Sequence, residues 1–344
     1  MQGKVRAGRR LCYFAHYHPA GIVADYVLHY LAELKAAGFT VIVASTAALN
    51  EGETEKLRRA CDDLILRGNQ GLDFGSWIDC YAKHAPDGAE LLLLCNDSVY
   101  GPLGSLDRCI DEVCRAEADF YGLVATGQSG RHLQSWFVLL RPSAFRSNAF
   151  RTLFSSPVPA NLTKDEIIRR YEIGLSTGLW HAGLRSHALY DPDRYGLLSR
   201  SETFNASHFL WKELICEMGM PFIKIDLLRD NPLFVTDVEE WRDVVAAHRP
   251  SLLAAIADDL TCRRTIGRKQ GGPSGVRRKL LIFYLRLFRR CVQRDFQYAW
   301  GRRPALLRLN AFYSRLALSA YRSTIKLVKI LIRTTGMGQI TGTT

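Results

Sequence analysis

Short apolar runs alternate with helix-length amphipathic segments through the first third of the chain, and this alternation restricts the fold more than any other feature. Residues 11–17 are apolar and aromatic. Val23, Tyr26, Val27, Tyr30, Leu31 and Leu34 follow at helical spacing, Gly38 closes the pattern, and residues 39–45 form a continuous run rich in β-branched side chains. A strand without polar alternation is buried on both faces, and two such strands joined by a helix make the βαβ unit of a parallel sheet. The rhythm continues with strands expected at 64–66, 91–94 and 120–125 and helices near 74–84 and 106–118. Residues 11–126 therefore read as a doubly wound α/β domain. Beyond them, strands at 135–140 and 185–190 and helices at 164–180 and 208–218 continue the same sheet and add a second half, 127–262.

Charge divides the chain again. Of its 344 residues, those from Arg263 onward carry 19 Lys and Arg against the single acid Asp295, a net of +18. The first 262 hold 27 basic and 33 acidic groups, a net of −6. An acidic body argues against nucleic-acid binding. The glycine and proline stretch within 263–276 reads as a linker, and 277–344 as a basic helical tail. In that tail Arg308, Arg315, Arg322, Lys326, Lys329 and Arg333 recur at helical spacing, with Leu309, Phe312, Leu316, Leu327 and Leu331 largely off their stripe. Lys279, Arg286, Arg290 and Arg294 repeat the arrangement earlier, and such a face suits an anionic membrane surface or a protein partner. Nine scattered cysteines without a CxxC pair fit reduced, mostly buried thiols. The N-terminal residues lack a signal-like apolar run, and no stretch is long enough to span a bilayer, so a cytoplasmic, peripherally attached protein is expected.

Five segments carry candidate chemistry. The run LLLLCNDSVYGP releases Asn96, Asp97 and Ser98 at the carboxyl edge of a buried strand, where open α/β sheets bind ligands. Asp97 there can hold a divalent cation or a ribose hydroxyl, or it can serve only the turn. In NQGLDFGSW, Gly75 permits close backbone approach and Asp73 can receive a hydroxyl or cap the following helix. HLQSWF offers Gln134 and Ser135 to the polar edges of a sugar and Trp136 to its apolar face, although each taken singly is more often structural. Glu172, among apolar neighbours, can act as a base or pair with Arg169 or Arg170. His208, Lys212, Lys224 and Arg229 can oppose charge on an acceptor or a phosphate, although basic residues between helices are usually solvated. His16 and His18 share a strand face, but without a partner carboxylate in sight they read as structural.

Taken in order, AHYHPAGIVADYVLHYL, NQGLDFGSW, NDSVYGP, DFYGL, HLQSWF, YEIGLS and HFLWKEL, with PFIK and LLRDNP, resemble the rhamnan synthesis protein F family over residues 11–232. The resemblance implies a GT-A-like nucleotide-sugar fold with a donor half, 11–126, and an acceptor half, 127–262. It also implies an inverting transferase that moves L-rhamnose or a related deoxysugar from a dTDP-sugar to a lipid-linked or polysaccharide acceptor in cell-wall, O-antigen or capsule synthesis. By position Asn96-Asp97-Ser98 is the acidic motif of such folds, with Asp97 the expected ligand of Mg2+ or Mn2+. Ser98 departs from the two-aspartate form. Inversion needs a general base, for which Glu172 is the choice and Asp165 and Glu166 are reserves. Two other readings keep the same fold: a transferase using another nucleotide sugar, and a non-catalytic scaffold of a polysaccharide-synthesis complex.

Overall fold

The computed structural model describes residues 9–195, 204–266, 275–301 and 319. Strands β1 (Arg9–His16), β2 (Phe39–Ser45), β3 (Asp63–Leu66) and β4 (Ala89–Asn96) are parallel and lie in the order β3-β2-β1-β4. They are joined by α1 (Asp25–Ala36), α2 (Glu51–Ala60) and α3 (Leu72–Lys83). A two-residue β5 (Val99–Tyr100) and α4 (Leu106–Cys114) lead to β6 (Phe120–Thr126), and then come β7 (His132–Leu133), β8 (Phe137–Leu140), β9 (Ser186–Tyr190) and β10 (Ile223–Lys224). The expected mixed α/β architecture with a mostly parallel sheet is what the chain adopts. β8 inserts between β4 and β6, antiparallel to both, so one sheet takes strands from either side of residue 126.

Continuous apolar strands bury both faces of this sheet. One face packs α3 and the helical stretch 164–181; the other packs α1, α4 and three later helices, Trp211–Cys216, Leu253–Ile266 and Gly275–Trp300. Helix Leu253–Ile266 takes up the first four residues of the expected linker, and helix Gly275–Trp300, which begins in its last two, carries the start of the expected tail into the core. Leu285, Phe288, Val292 and Phe296 recur every three to four residues and are buried, with Phe288 edge-on to Phe209 and Phe296 stacked on Tyr195. Arg289, on the same side, donates to the Phe209 carbonyl and pairs with Asp237. The packed body thus runs through Trp300. Residues 267–274 of the expected linker, and the basic stripe from Arg308 to Arg333, lie outside the described residues. All nine cysteines are free, five of them buried.

Two local features shape the crevice at the carboxyl edge of the sheet. At the start of α3, Gly71 is left-handed with φ +78°, and a Cβ there would stand 2.6 Å from the Val158 side chain. Only glycine satisfies both demands. In the stretch 164–181, the α-helix Lys164–Ile167 gives way to a π-helical segment, Ile168–Ile173, before resuming as Gly174–His181. The wider turn changes which residues point inward, and Glu172 lies on it.

Candidate active site

The turn after β4 is a chain of side-chain hydrogen bonds. Asn96 Nδ2 donates to Asp73 Oδ2 at 2.7 Å, while Asn96 Oδ1 accepts from the Ser98 hydroxyl at 2.6 Å and from its N–H at 3.1 Å. Lys224 Nζ donates to Ser98 Oγ at 3.1 Å and sits 5.5 Å from the centre of the Trp136 ring. The β10–β5 ladder fixes Lys224 there, since it pairs with Val99. Burial pushes the Asp73 carboxyl up, with the Asn96 amide and the Lys224 ammonium opposing. Burial pulls Lys224 down, against the pull of Asp226, Glu172 and Asp73. Asp73, Asn96, Ser98, Trp136, Glu172 and Lys224 line a cavity of about 230 Å³. A shallower opening of about 440 Å³ continues past Leu72, Lys164 and Ile167 along the loop Gly68, Asn69, Gln70 and Gly71.

Asp97 points elsewhere. Its Oδ2 accepts the Tyr17 N–H at 2.9 Å, at the end of β1, and lies 3.9 Å from His16 Nε2; the residue lines neither this cavity nor the next. Burial pushes its carboxyl up to about 7 despite the nearby Arg263 charge and the Tyr17 N–H. Behind it is a buried network. Asp259 receives His18 Nε2 at 2.9 Å, Tyr100 hydroxyl at 2.5 Å and Arg263 Nε at 2.7 Å; Arg263 also donates to the Tyr26 hydroxyl, which donates to the Asp97 carbonyl. His18 thus has the carboxylate partner that its sequence neighbourhood lacks, supplied from 241 residues away.

Glu172 is held by one oxygen. Its Oε1 accepts both the N–H and the hydroxyl of Ser135 at 2.9 Å. Gln134 is a brace: its Oε1 accepts from the Trp136 indole at 2.8 Å and from Ser207 at 2.7 Å, which fixes the buried indole as a wall. A second cavity, of about 410 Å³, lies beyond that wall; Trp136, Ile168, Glu172 and Lys224 border both. His208 and Asp226 line this second cavity. His208 Nε2 approaches Asp226 Oδ1 to 3.3 Å without hydrogen-bond geometry, and neither ring nitrogen of this buried histidine is hydrogen-bonded. Burial pushes Asp226 up, but His208, Lys224 and Arg229 outweigh it and hold the carboxyl well below its usual range.

Of the sequence-predicted residues, Asp73, Asn96, Ser98, Trp136, Glu172 and Lys224 converge on the first cavity, and Gln134 and His208 on the second. Gly75 is packed instead against the loop, where the Gln70 carbonyl lies 2.1 Å from where a Cβ would stand. Lys212 is paired with Glu240 and Arg229 with Asp230, and neither lines these two cavities. Glu166 closes a capping box with Thr163, and Asp165 is exposed. Ser135, read from the sequence with Gln134 and Trp136, lines the first cavity, and Asp226 on the second is an addition. Among the described residues no group of three or more His, Cys, Asp and Glu is placed to hold a metal ion. The turn does not suit the expected cation: Asn96 and Ser98 are spent on each other and their neighbours, and Asp97 faces β1.

The fold and crevice define an α/β protein that opens two polar cavities at the carboxyl edge of a mostly parallel sheet. The chain belongs to the rhamnan synthesis protein F family, whose model matches residues 41–246. It is 27% identical over 183 residues to the uncharacterized protein y4gN of Sinorhizobium fredii (strain NBRC 101917 / NGR234), covering 52% of this chain and 47% of that one. It is 28% identical over 207 residues to the virulence protein VirA of Vibrio anguillarum (strain ATCC 68554 / 775), covering 51% and 65%. The matches thus span about half to two thirds of these relatives. A solved structure of S. aureus TarS 1-349 with UDP aligns over 75% of this chain and 90% of that one, at 15% identity and a TM-score of 0.38.

Proposed function

We propose that the chain is an inverting glycosyltransferase that moves L-rhamnose, or another deoxysugar, from a dTDP-sugar to a lipid-linked or growing polysaccharide acceptor. Family membership supports the polysaccharide setting. The observation that carries the reading is the position of Glu172, whose carboxylate borders two adjoining cavities. The donor diphosphate is assigned to the smaller, beside Asp73, Asn96 and Ser98, with the nucleoside along the Gly68 to Gly71 loop. The acceptor is assigned to the larger, which His208 and Asp226 line together with Gln134 and Trp136. A base between two bound reactants can take the acceptor proton as its oxygen attacks the anomeric carbon. Trp136 offers the sugar an apolar plane. Purified full-length chain is expected to consume dTDP-rhamnose in the presence of a matched lipid-linked acceptor and to release dTDP. Consumption of a different nucleotide sugar would change the donor and keep the reading; no consumption across a donor panel would sink it.

The same reading includes peripheral attachment to the inner face of the cell membrane. Among the described residues no helix is long and apolar enough to cross a membrane. The outward face of helix Gly275–Trp300 carries exposed Lys279, Arg286, Arg290 and Arg294 around exposed Phe283 and Leu287. Each cation near an anionic bilayer contributes about 1 kcal/mol, and the aromatic and leucine side chains can enter the headgroup layer. Reversing Arg286, Arg290 and Arg294 to Glu is expected to weaken salt-sensitive binding to phosphatidylserine vesicles strongly, whereas equal binding by the variant rejects this face. Truncation after Gly275 is unsuitable because it removes Phe288 and Phe296 from the core.

A further inference from the structure

We propose that Lys224 supplies the positive charge opposite the donor's leaving diphosphate, in place of the divalent cation expected at the Asn96–Ser98 turn, so that this site binds its nucleotide without metal. The inference rests on the glycosyltransferase reading above and specifies how its donor is held.

The chemistry of the donor set is the first argument. Mg2+ and Mn2+ prefer six oxygen ligands, commonly with one or two carboxylates among them. At this turn the Asn96 amide is used at both ends, and the Ser98 hydroxyl donates to Asn96 and accepts from Lys224. The Asp97 carboxylate is turned to the Tyr17 N–H. Beside the turn the cavity holds two carboxylates, Asp73 on α3, one oxygen of which receives the Asn96 amide, and Glu172, one oxygen of which is taken by Ser135. Among the described residues no third such group joins them to complete a metal site. A second cation beside the ammonium would meet like-charge repulsion at short range.

Position is the second argument. Lys224 Nζ stands 3.1 Å from Ser98 Oγ, at the mouth of the β4 turn, and it borders both the donor cavity and the acceptor cavity. The β10–β5 pairing and the Trp136 face leave its ammonium little freedom. During transfer, the acceptor oxygen bonds to the anomeric carbon as the bond from that carbon to the diphosphate oxygen breaks. The electron pair stays on the diphosphate, and the acceptor proton goes to Glu172. The diphosphate gains a unit of negative charge in this step, and a preorganised ammonium stabilises that charge more in the transition state than in the bound donor.

The test is nucleoside diphosphate binding, measured by calorimetry on the full-length chain with dTDP, UDP and GDP, in EDTA and in Mg2+ or Mn2+. Affinity for the preferred nucleotide is expected to agree within roughly threefold between the two conditions, a difference of at most about 0.7 kcal/mol. Lys224→Met is expected to weaken it roughly tenfold or more in both, as loss of a charge-assisted contact does, and Lys224→Arg to restore most of the loss. Binding that vanishes in EDTA overturns the inference while leaving the transferase reading intact; so does a Lys224→Met variant that binds like the parent. Absence of binding by all three nucleotides in every condition overturns both. The EDTA comparison needs no variant, so a folding defect in Lys224→Met cannot hide the answer.

Discussion

Glu172→Gln is expected to lower kcat for sugar transfer by about 10²- to 10⁴-fold, the usual worth of a positioned base. Glutamine keeps the shape of the side chain and can still offer its carbonyl oxygen to the Ser135 N–H and hydroxyl. What it loses is the capacity to take a proton from the acceptor. Nucleoside diphosphate affinity should therefore stay close to that of the parent, because Asp73, Asn96, Ser98 and Lys224 are untouched. The two measurements together separate a chemical role from a binding role: kcat down with unchanged donor affinity is the signature of an interaction made only in the transition state. A Glu172→Gln variant within a few fold of the parent would remove Glu172 as the base. Asp226, the other carboxylate on the acceptor cavity, would then be the first alternative, and Asp165 and Glu166 would not, since both lie away from it.

How much of this is legible in the sequence depends on the kind of signal. The parallel strands can be read because burial on both faces leaves uninterrupted apolar runs, as at residues 39–45 and 91–94. Helix Glu51–Ala60 cannot, because it buries only Leu57 and is otherwise polar. The π-helical segment that carries Glu172 leaves no trace in a 3.6-residue pattern, since one extra residue per turn mimics ordinary irregularity. The direction of Asp97 does have a signal, which reading the turn as an acidic motif overrides. Along an extended chain neighbouring side chains point to opposite faces, so Asn96 and Ser98 can share a cavity only if Asp97 looks away. The core helix at 275–300 has a signal too: Leu285, Phe288, Val292 and Phe296 repeat at helical spacing, but basic residues dominate the composition around them. Long-range partners such as Asp259 for His18 are beyond reach, as they depend on tertiary placement alone.

The second large effect is expected at Arg263, where Met is predicted to destabilise the protein by about 3–5 kcal/mol, as breaking a buried ion pair from one side does. Arg263 and Asp259 are both buried, four residues apart on helix Leu253–Ile266, and the guanidinium also reaches the Tyr26 hydroxyl behind the β4 turn. Without it, Asp259 retains His18 and Tyr100 but loses its fixed positive neighbour, and Asp97 loses the charge that most opposes its upward shift. The sign of the pH dependence follows from linkage. Asp97 titrates near 3.8 in the unfolded chain and at about 7 in the fold, so the native state binds the extra proton and this group lowers stability as pH rises through that window. Asp259 is held below its usual value, first against burial and then by His18 and Arg263, so its contribution is present above the unfolded value and is lost as pH falls through the folded one. Removing Arg263 moves both carboxyls toward protonation in the native state, which makes the slope of stability with pH more negative. The deficit of Arg263→Met should therefore be largest near pH 8 and shrink toward pH 5. Thermal or urea unfolding at the two pH values checks this, with a fall in midpoint on the order of 10 °C at the higher one. A deficit that is equal at both would mean that the guanidinium acts through packing, and that the charge on Asp97 is set by burial alone.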